Sequence, residues 1–248
     1  MEDEALDVLA LAAHPDDIEL SCAATLIKLA RKGYRTGVVA LTAGEMGTRG
    51  APDIRRQEFE RANGLLGVVA GEILDLPDGK LRPNEAAIEK LIRVLRRYRP
   101  ALVLAPHWET RHPDHGHCSV LAREAAFLSG LKRIDTQQAP HRPARVLYYM
   151  ELYDFTPSFI VDVSDTFDDK VRAIQAYESQ FYTGEPSSAD EGATYIGTPE
   201  FLNSILVRGQ YWGNKIGAKY GEPFVVREPL KIDDPVRHFS SYRFAGLM

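Results

Sequence analysis

Two short stretches put cation-binding groups where an apolar run ends. "LAAHPDDIEL", residues 11–20, stops a run of small apolar residues at His14, Pro15, Asp16 and Asp17, then resumes an apolar pattern. "RHPDHGH", residues 111–117, follows a second apolar run and spaces His112 and His115 three apart, with Asp114 between them. Either aspartate of the first pair could cap a helix starting near Ile18, and Asp114 could cap the helix that follows it. Capping explains neither His14 nor the need for two adjacent carboxylates. Three of the chain's seven histidines lie within 112–117, a density that structure alone seldom requires. Two carboxylates repel a phosphate and attract a cation. Imidazole and carboxylate together suit zinc, which in catalytic sites takes three protein ligands and keeps one position open.

The elements that must position these loops follow from hydrophobic periodicity. Continuous apolar runs predict strands at 7–13, 36–43, 71–77 and 100–107. Helical spacing predicts helices over 18–34, 53–67, 84–98 and 116–130, with Gly33 as a stop for the first. This β-α alternation predicts a Rossmann-like three-layer α/β sandwich: a mostly parallel central sheet with helices on both faces. Further strands are expected at 145–151 and 158–164, and helices around 165–181 and 199–217. The segment 182–200, rich in Gly, Ser, Thr and Pro, reads as a long loop and a candidate lid. "KYGEPFVVREPL" is expected to return to the body of the fold, so residues 1–248 read as one domain. Under the common strand order 3-2-1-4-5, strands 1 and 4 are neighbours, and their loops face each other across the switch point where such sheets bind ligands.

Composition narrows the class. A net charge of -5 gives no counterion-release drive toward nucleic acid. No apolar run approaches the ~20 residues of a bilayer span, and the acidic start "MEDEALDVLALAA" does not read as a secretory signal. Two cysteines cannot build a disulfide framework, so a reduced, cytoplasmic protein is the expectation. Cys22 and Cys118 fall on apolar helix faces and read as small core residues, while His107 and His117 read as loop residues flanking the motif. A nucleotide-binding protein is disfavoured because no G-x-G-x-x-G follows strand 1. A metal-dependent sugar-binding protein without catalysis is a further alternative, although binding alone would not require a spare carboxylate beside the metal.

"AHPDD" after strand 1 and "HPDH" after strand 4 resemble the PIG-L/LmbE-like zinc-dependent N-acetylglucosamine deacetylases. "LTAGEMGTRGAPDIRRQE" (41–58), "LPDGKL" (76–81), "APHWETRHPDHGHC" (105–118), "AYESQF" (176–181) and "KYGEPF" (219–224) are similar to the branch that deacetylates N-acetylglucosaminyl-malate in bacillithiol biosynthesis. The resemblance implies His14, Asp17 and His115 as ligands of zinc, or of another divalent transition metal such as Fe2+. It implies Asp16 as general base, His112 as the group that stabilises the oxyanion, and Asp114 as an acidic residue that holds a neighbouring histidine in place. His112 must be protonated for its role, a state that Asp114 or another nearby carboxylate favours, and either Asp16 or His112 could protonate the leaving amine. Arg55 is implied near Asp16 or substrate. Arg49, Arg55 and Arg111 are candidates for the malate carboxylates, and Glu45 for sugar hydroxyls. Glu222 is read as a loop or subunit contact. The resemblance further implies a small-molecule sugar conjugate as substrate and assembly into trimers or hexamers. The alternative is a deacetylase or amidase for a different N-acetyl sugar or thiol conjugate. Two departures stand out: Ser21-Cys22-Ala23-Ala24 where relatives carry glycines, and Phe201 where some carry a tyrosine.

Overall fold

Alternate residues of the first strand face opposite ways, and both faces are buried. In β1 (Val8–Ala12), Val8, Ala10 and Ala12 enter one hydrophobic core while Leu9 and Leu11 enter another. A two-residue period with no polar face is what a strand covered on both sides must show. β2 (Thr36–Ala40) repeats it, with Val38 and Ala40 on one side and Val39 on the other. Fully burying one such aliphatic side chain contributes about 1.5–3 kcal/mol. The computed structural model describes residues 4–182 and 194–240; most of the candidate lid, residues 183–193, lies outside the described residues.

The helices that cover the two faces are separate sets. α1 (Asp17–Ser21), α2 (Ala23–Arg31), α3 (Pro52–Leu66) and α6 (Phe167–Gln175) pack on one side, and α4 (Glu85–Tyr98) and α5 (Pro113–Leu128) on the other. α7 (Pro199–Asn214) packs by Ile205 into the first core. With β3 (Ala70–Ile73), β4 (Leu102–Pro106), β5 (Arg145–Tyr149), β6 (Phe159–Asp162) and β7 (Gly221–Val225), the sheet runs β3-β2-β1-β4-β5-β7-β6. Pairing is parallel from β3 through β5, and β7 is antiparallel to both β5 and β6. The expected doubly wound order therefore holds, and the "GEPFV" stretch enters the sheet as β7. Among the described residues no helix is long and apolar enough to cross a membrane.

Two local departures bear on the site. The helix expected over 18–34 is broken at Cys22 (φ -126, ψ 19) into α1 and α2. The break frees the first N–H groups of α2, and Glu222 on β7 accepts from Ala24 N (3.2 Å) and Thr25 N (2.7 Å). Lys170 on α6 closes the arrangement, donating to Glu222 Oε1 (2.7 Å) and to Ser21 O (2.8 Å). Glu222 and Lys170 are 2% and 3% exposed, so Glu222 is an internal helix cap and not the loop or subunit contact expected from sequence. The second departure is α5, which begins at Pro113 and not at Gly116, bringing His115 into its first turn. Proline is well placed there, because the first helical N–H has no partner in any case.

Candidate metal centre and active site

All five parallel strands point their carboxyl ends at the same edge of the sheet, and the loops beyond β1 and β4 meet there. Asp16 sits at the N-cap position of α1 with a left-handed backbone (φ 103), yet its side chain makes no capping bond. A non-glycine residue held there costs on the order of 1–3 kcal/mol. Its carboxylate is turned instead to Arg55, whose Nη2 donates to Asp16 Oδ2 (2.9 Å). Arg55 also donates to Pro15 O (2.8 Å) and Gly44 O (3.1 Å), so its guanidinium is engaged with the loops after β1 and β2. Asp17 caps nothing further along the helix either: Oδ2 accepts the N–H of His14 (2.8 Å).

The side chains of His14, Asp17 and His115 converge. His14 Nδ1 lies 3.1 Å from His115 Nε2 and 3.6 Å from Asp17 Oδ2, and His115 Nε2 lies 3.3 Å from Asp17 Oδ1. Ligand atoms of a tetrahedral zinc site with bonds of ~2.0–2.1 Å stand about 3.3 Å apart, so the three donors fit one such ion. A carboxylate backs each imidazole. His14 Nε2 is 2.9 Å from Asp78 Oδ1 and 3.7 Å from Asp114 Oδ2, and His115 Nδ1 is 2.6 Å from Glu151 Oε1. Such partners hold the ring proton on the far nitrogen and leave the near one free to ligate. Other donors lie close enough to form alternative groups, namely His14 with His112 and His115, His14 with Asp78 and Asp114, and Asp17 with His115 and Glu151.

Electrostatics say what the site wants. Burial alone would lower the pKa of His14, but Asp114, Asp17 and Asp78 overcome it and push the imidazole up to about 12. A cluster that drives a histidine so far toward its charged form is short of positive charge, which a divalent ion supplies. Asp78 is held down to about 2: burial opposes this, and hydrogen bonds from His14 and from the N–H groups of Met46 and Gly79 outweigh it. Asp16 moves the other way. Burial pushes its carboxyl up to about 7, against the pull of Arg55. Two adjacent aspartates thus differ in kind, because Asp17 is held well below the usual range once His115 and His14 outweigh its burial.

His112 is arranged differently from the expectation. His112 is the N-cap of α5, and its Nδ1 accepts the N–H of Asp114 (3.2 Å). An accepting Nδ1 leaves the ring proton on Nε2. Burial lowers the pKa of His112, and the neighbouring His115 and His14 lower it further against the pull of Asp114 and Asp17, which favours the neutral ring, an N–H donor at Nε2, over the imidazolium. The Asp114 carboxylate backs the neighbouring histidine His14, 3.7 Å from its Nε2, while Oδ2 accepts from Gly79 N (2.7 Å); it acts on His112 only through space, drawing it toward the charged form.

The remaining sequence candidates separate. Two cavity lobes, about 220 and 270 Å³, meet at Asp16, His112 and Ile196. Arg111 lines the first and Arg49 the second. Glu45 lines neither; its Oε1 accepts from Asp78 N (2.8 Å) and braces that loop. Phe201 is part of the first lobe's apolar wall, stacked on Phe181 at 5.9 Å. His107 and His117 lie outside the cluster, His107 between Trp108 and Phe155 and His117 beside Arg82. Cys22 and Cys118 are fully buried in opposite cores. Sequence reasoning passes over Asp78, Glu151 and Arg208, all of which line the cavity. The signal for Asp78 and Glu151 is the one that finds His14: an acidic residue just beyond an apolar strand.

A cation site with a spare carboxylate beside it meets what hydrolysis of an unactivated amide demands, and this protein is a hydrolase of amide bonds. Comparison with known proteins then places it: the chain belongs to the PIG-L family, whose profile, described as GlcNAc-PI de-N-acetylase, matches residues 9–126. A diacetylchitobiose deacetylase from Thermococcus kodakarensis is 31% identical over 230 residues, covering 87% of this chain and 80% of the relative. The crystal structure of the conserved protein TT1542 from Thermus thermophilus is 38% identical, with a TM-score of 0.83 over 93% of this chain and 98% of that one. A probable N-acetyl-alpha-D-glucosaminyl L-malate deacetylase 2 from Bacillus cereus is 24% identical over 188 residues, covering 70% of this chain and 83% of the relative.

Proposed function

We propose that the protein is a metal-dependent deacetylase that removes the acetyl group from an N-acetylglucosamine conjugate, with N-acetylglucosaminyl-malate as its substrate. His14, Asp17 and His115 hold the ion, zinc or a related divalent transition metal, within a single deacetylase domain. The observation that carries this reading is the convergence of three side chains, with His14 Nδ1 3.1 Å from His115 Nε2 and the two Asp17 carboxylate oxygens 3.3 Å from His115 Nε2 and 3.6 Å from His14 Nδ1, beside a second aspartate, Asp16, that contributes none of these atoms. When bound, such an ion lowers the pKa of a water from 15.7 to around 7 and polarises the acetyl oxygen.

The chain's own groups then divide the work. Asp16, with a carboxyl near neutrality, takes the proton of the attacking water and returns it to the amide nitrogen as the C–N bond breaks. Arg55 fixes the carboxylate in place from behind, so the lone pair in use stays on the open side. His112 donates from Nε2 to the acetyl oxygen as the carbon becomes tetrahedral and charge develops there. Removing one donor of this kind typically costs ~100- to 1,000-fold in rate. Acetate and the free amine are the products.

Acetate release from the zinc-loaded protein tests the reading. Parallel assays on N-acetylglucosaminyl-malate, free N-acetylglucosamine and N,N'-diacetylchitobiose are expected to rank the malate conjugate first. Faster release from diacetylchitobiose would favour the activity named for the Thermococcus relative, and release from none of the three would overturn the deacetylase reading.

A further inference from the structure

The first cavity lobe carries a charged group that no step above uses. Phe201, Ile205, Arg208 and Trp212 repeat at helical spacing along α7. Ile205 and Trp212 are 3% and 5% exposed, so this stripe faces inward and Arg208 is an arginine on a core-facing stripe. Its one described hydrogen bond runs from Nη1 to the backbone oxygen of Glu151 (2.5 Å). The Glu151 carboxylate is engaged elsewhere: Oε1 lies against His115 and Oε2 accepts from Thr110 Oγ1 (2.6 Å). Among the described residues no carboxylate lies within ion-pair distance of Arg208, although arginines and lysines elsewhere in the chain form such pairs, Arg55 with Asp16 and Lys170 with Glu222 among them. Asp154 and Glu151 offset the burial of Arg208 only from beyond that distance. A guanidinium cannot shed its proton, so its free N–H groups in this lobe suit an anion brought by a ligand.

The surroundings specify that anion. Leu20, Phe181, Phe201 and Ile205 make the lobe's wall apolar, and Arg111 is the other cation lining it. The second lobe is the more polar, with Thr48, Asp78, Gln180 and Thr194 suited to sugar hydroxyls; of the two arginines that also line it, Arg55 is paired with Asp16, and Arg49 lines this lobe and not the one that holds Arg208. Both lobes open on Asp16 and His112, where the acetamide must sit. We propose that the apolar lobe is an anion subsite, in which Arg208 reads a carboxylate carried by the aglycone of the sugar conjugate. The enzyme thereby selects acidic conjugates over neutral ones such as a disaccharide. Planar, bidentate donation is what a guanidinium offers a carboxylate and what a lysine does not. The inference rests on the deacetylase reading, since it assigns the two ends of that substrate.

The test compares N-acetylglucosaminyl-malate with its dimethyl ester, which keeps size and removes charge. For the zinc-loaded wild type, kcat/KM is expected to favour the diacid at least about tenfold. In Arg208→Gln that ratio falls by about 10- to 100-fold, the scale of a charge-assisted hydrogen bond. The fall is carried by KM, and Arg208→Lys restores part of it. A ratio that stays constant, with both substrates slowed together or neither slowed, would make Arg208 a structural brace and overturn the proposal. Calorimetric binding of the diacid in an Asp16→Asn background tests the same subsite without turnover. Weaker binding in the Arg208→Gln double variant supports the subsite, and equal binding refutes it. A protein that binds the diacid through Arg208 but releases no acetate would sink the deacetylase reading alone.

Discussion

Arg55 gives the sharpest lever on the proposed general base. It is 5% exposed, and its three acceptors are Asp16 Oδ2, Pro15 O and Gly44 O. Replacing it with methionine removes the opposite charge nearest to Asp16, whose carboxyl already stands at about 7. An opposite charge at this range lowers a carboxyl pKa by about 1–3, so its loss moves the acid limb of kcat/KM up by about 1–3 pH units. The sign follows from the role: a base must be ionised, so activity is present above the Asp16 pKa and is lost as pH falls through it. At pH 7, where the wild-type base is about half ionised, the variant therefore loses about 5- to 500-fold. Unfolding free energy falls by about 3–5 kcal/mol, because one partner of a buried pair is left alone. Arg55→Lys separates the two effects. It keeps the charge, so the limb moves by less than about one pH unit, but each backbone oxygen left unpaired costs about 1–3 kcal/mol. The assays are acetate release from pH 5 to 10 by zinc-loaded protein and urea unfolding. An acid limb in Arg55→Met that coincides with the wild type would refute the link between Arg55 and Asp16. So would equal shifts in both variants.

Three further outcomes are expected. Asp16→Asn retains the metal, measured by elemental analysis after dialysis, while turnover drops by about 100- to 10,000-fold; loss of the metal would make Asp16 a ligand. Glu19, 1% exposed and bonded only weakly by Tyr177, is pushed up to about 8 by burial, so in metal-free protein folding stability declines as pH rises from about 4.5 to 8. Glu19→Gln removes that decline and raises stability at pH 7 by up to about 3 kcal/mol, and a urea midpoint with unchanged pH dependence would count against it. Lys170→Met leaves Glu222 buried with its helix-cap donors and the Thr25 hydroxyl but no counter-charge, and lowers unfolding free energy by about 3–5 kcal/mol; a loss under about 1 kcal/mol would show that the pair contributes little to α1 and α2.

The site is legible in the sequence where a buried strand ends on a side chain that resists burial. His14 after β1 and His115 after β4 are found in this way, and parallel pairing of β1 with β4 is what brings them within 3.1 Å. The same rule extended to β3 and β5 finds Asp78 and Glu151, but "LPDGKL" also reads as a turn and "LYYME" as aromatic packing, which hides them. The role of Asp114 is not legible because one aspartate can face either neighbouring histidine, and the backbone N–H of Gly79 fixes which. β7 escapes because Gly221 and Pro223 count against a strand, while its pairing with β5 and β6 is a tertiary choice. The break at Cys22 is hidden for a similar reason, since the group that caps it, Glu222, is 200 positions away. Arg208 is visible as an arginine on an apolar helical stripe, yet only the cavity shows what it faces.

The central claim is that loops after β1 and β4 hold one divalent ion beside an aspartate that does not bind it. Anomalous diffraction at the zinc edge, from crystals grown with zinc, tests this most directly. One peak per chain is expected, about 2.0–2.2 Å from His14 Nδ1, His115 Nε2 and a carboxylate oxygen of Asp17, with Asp16 outside bonding distance. A peak bound through Asp78 and Asp114, or no peak between the two imidazoles, would contradict it.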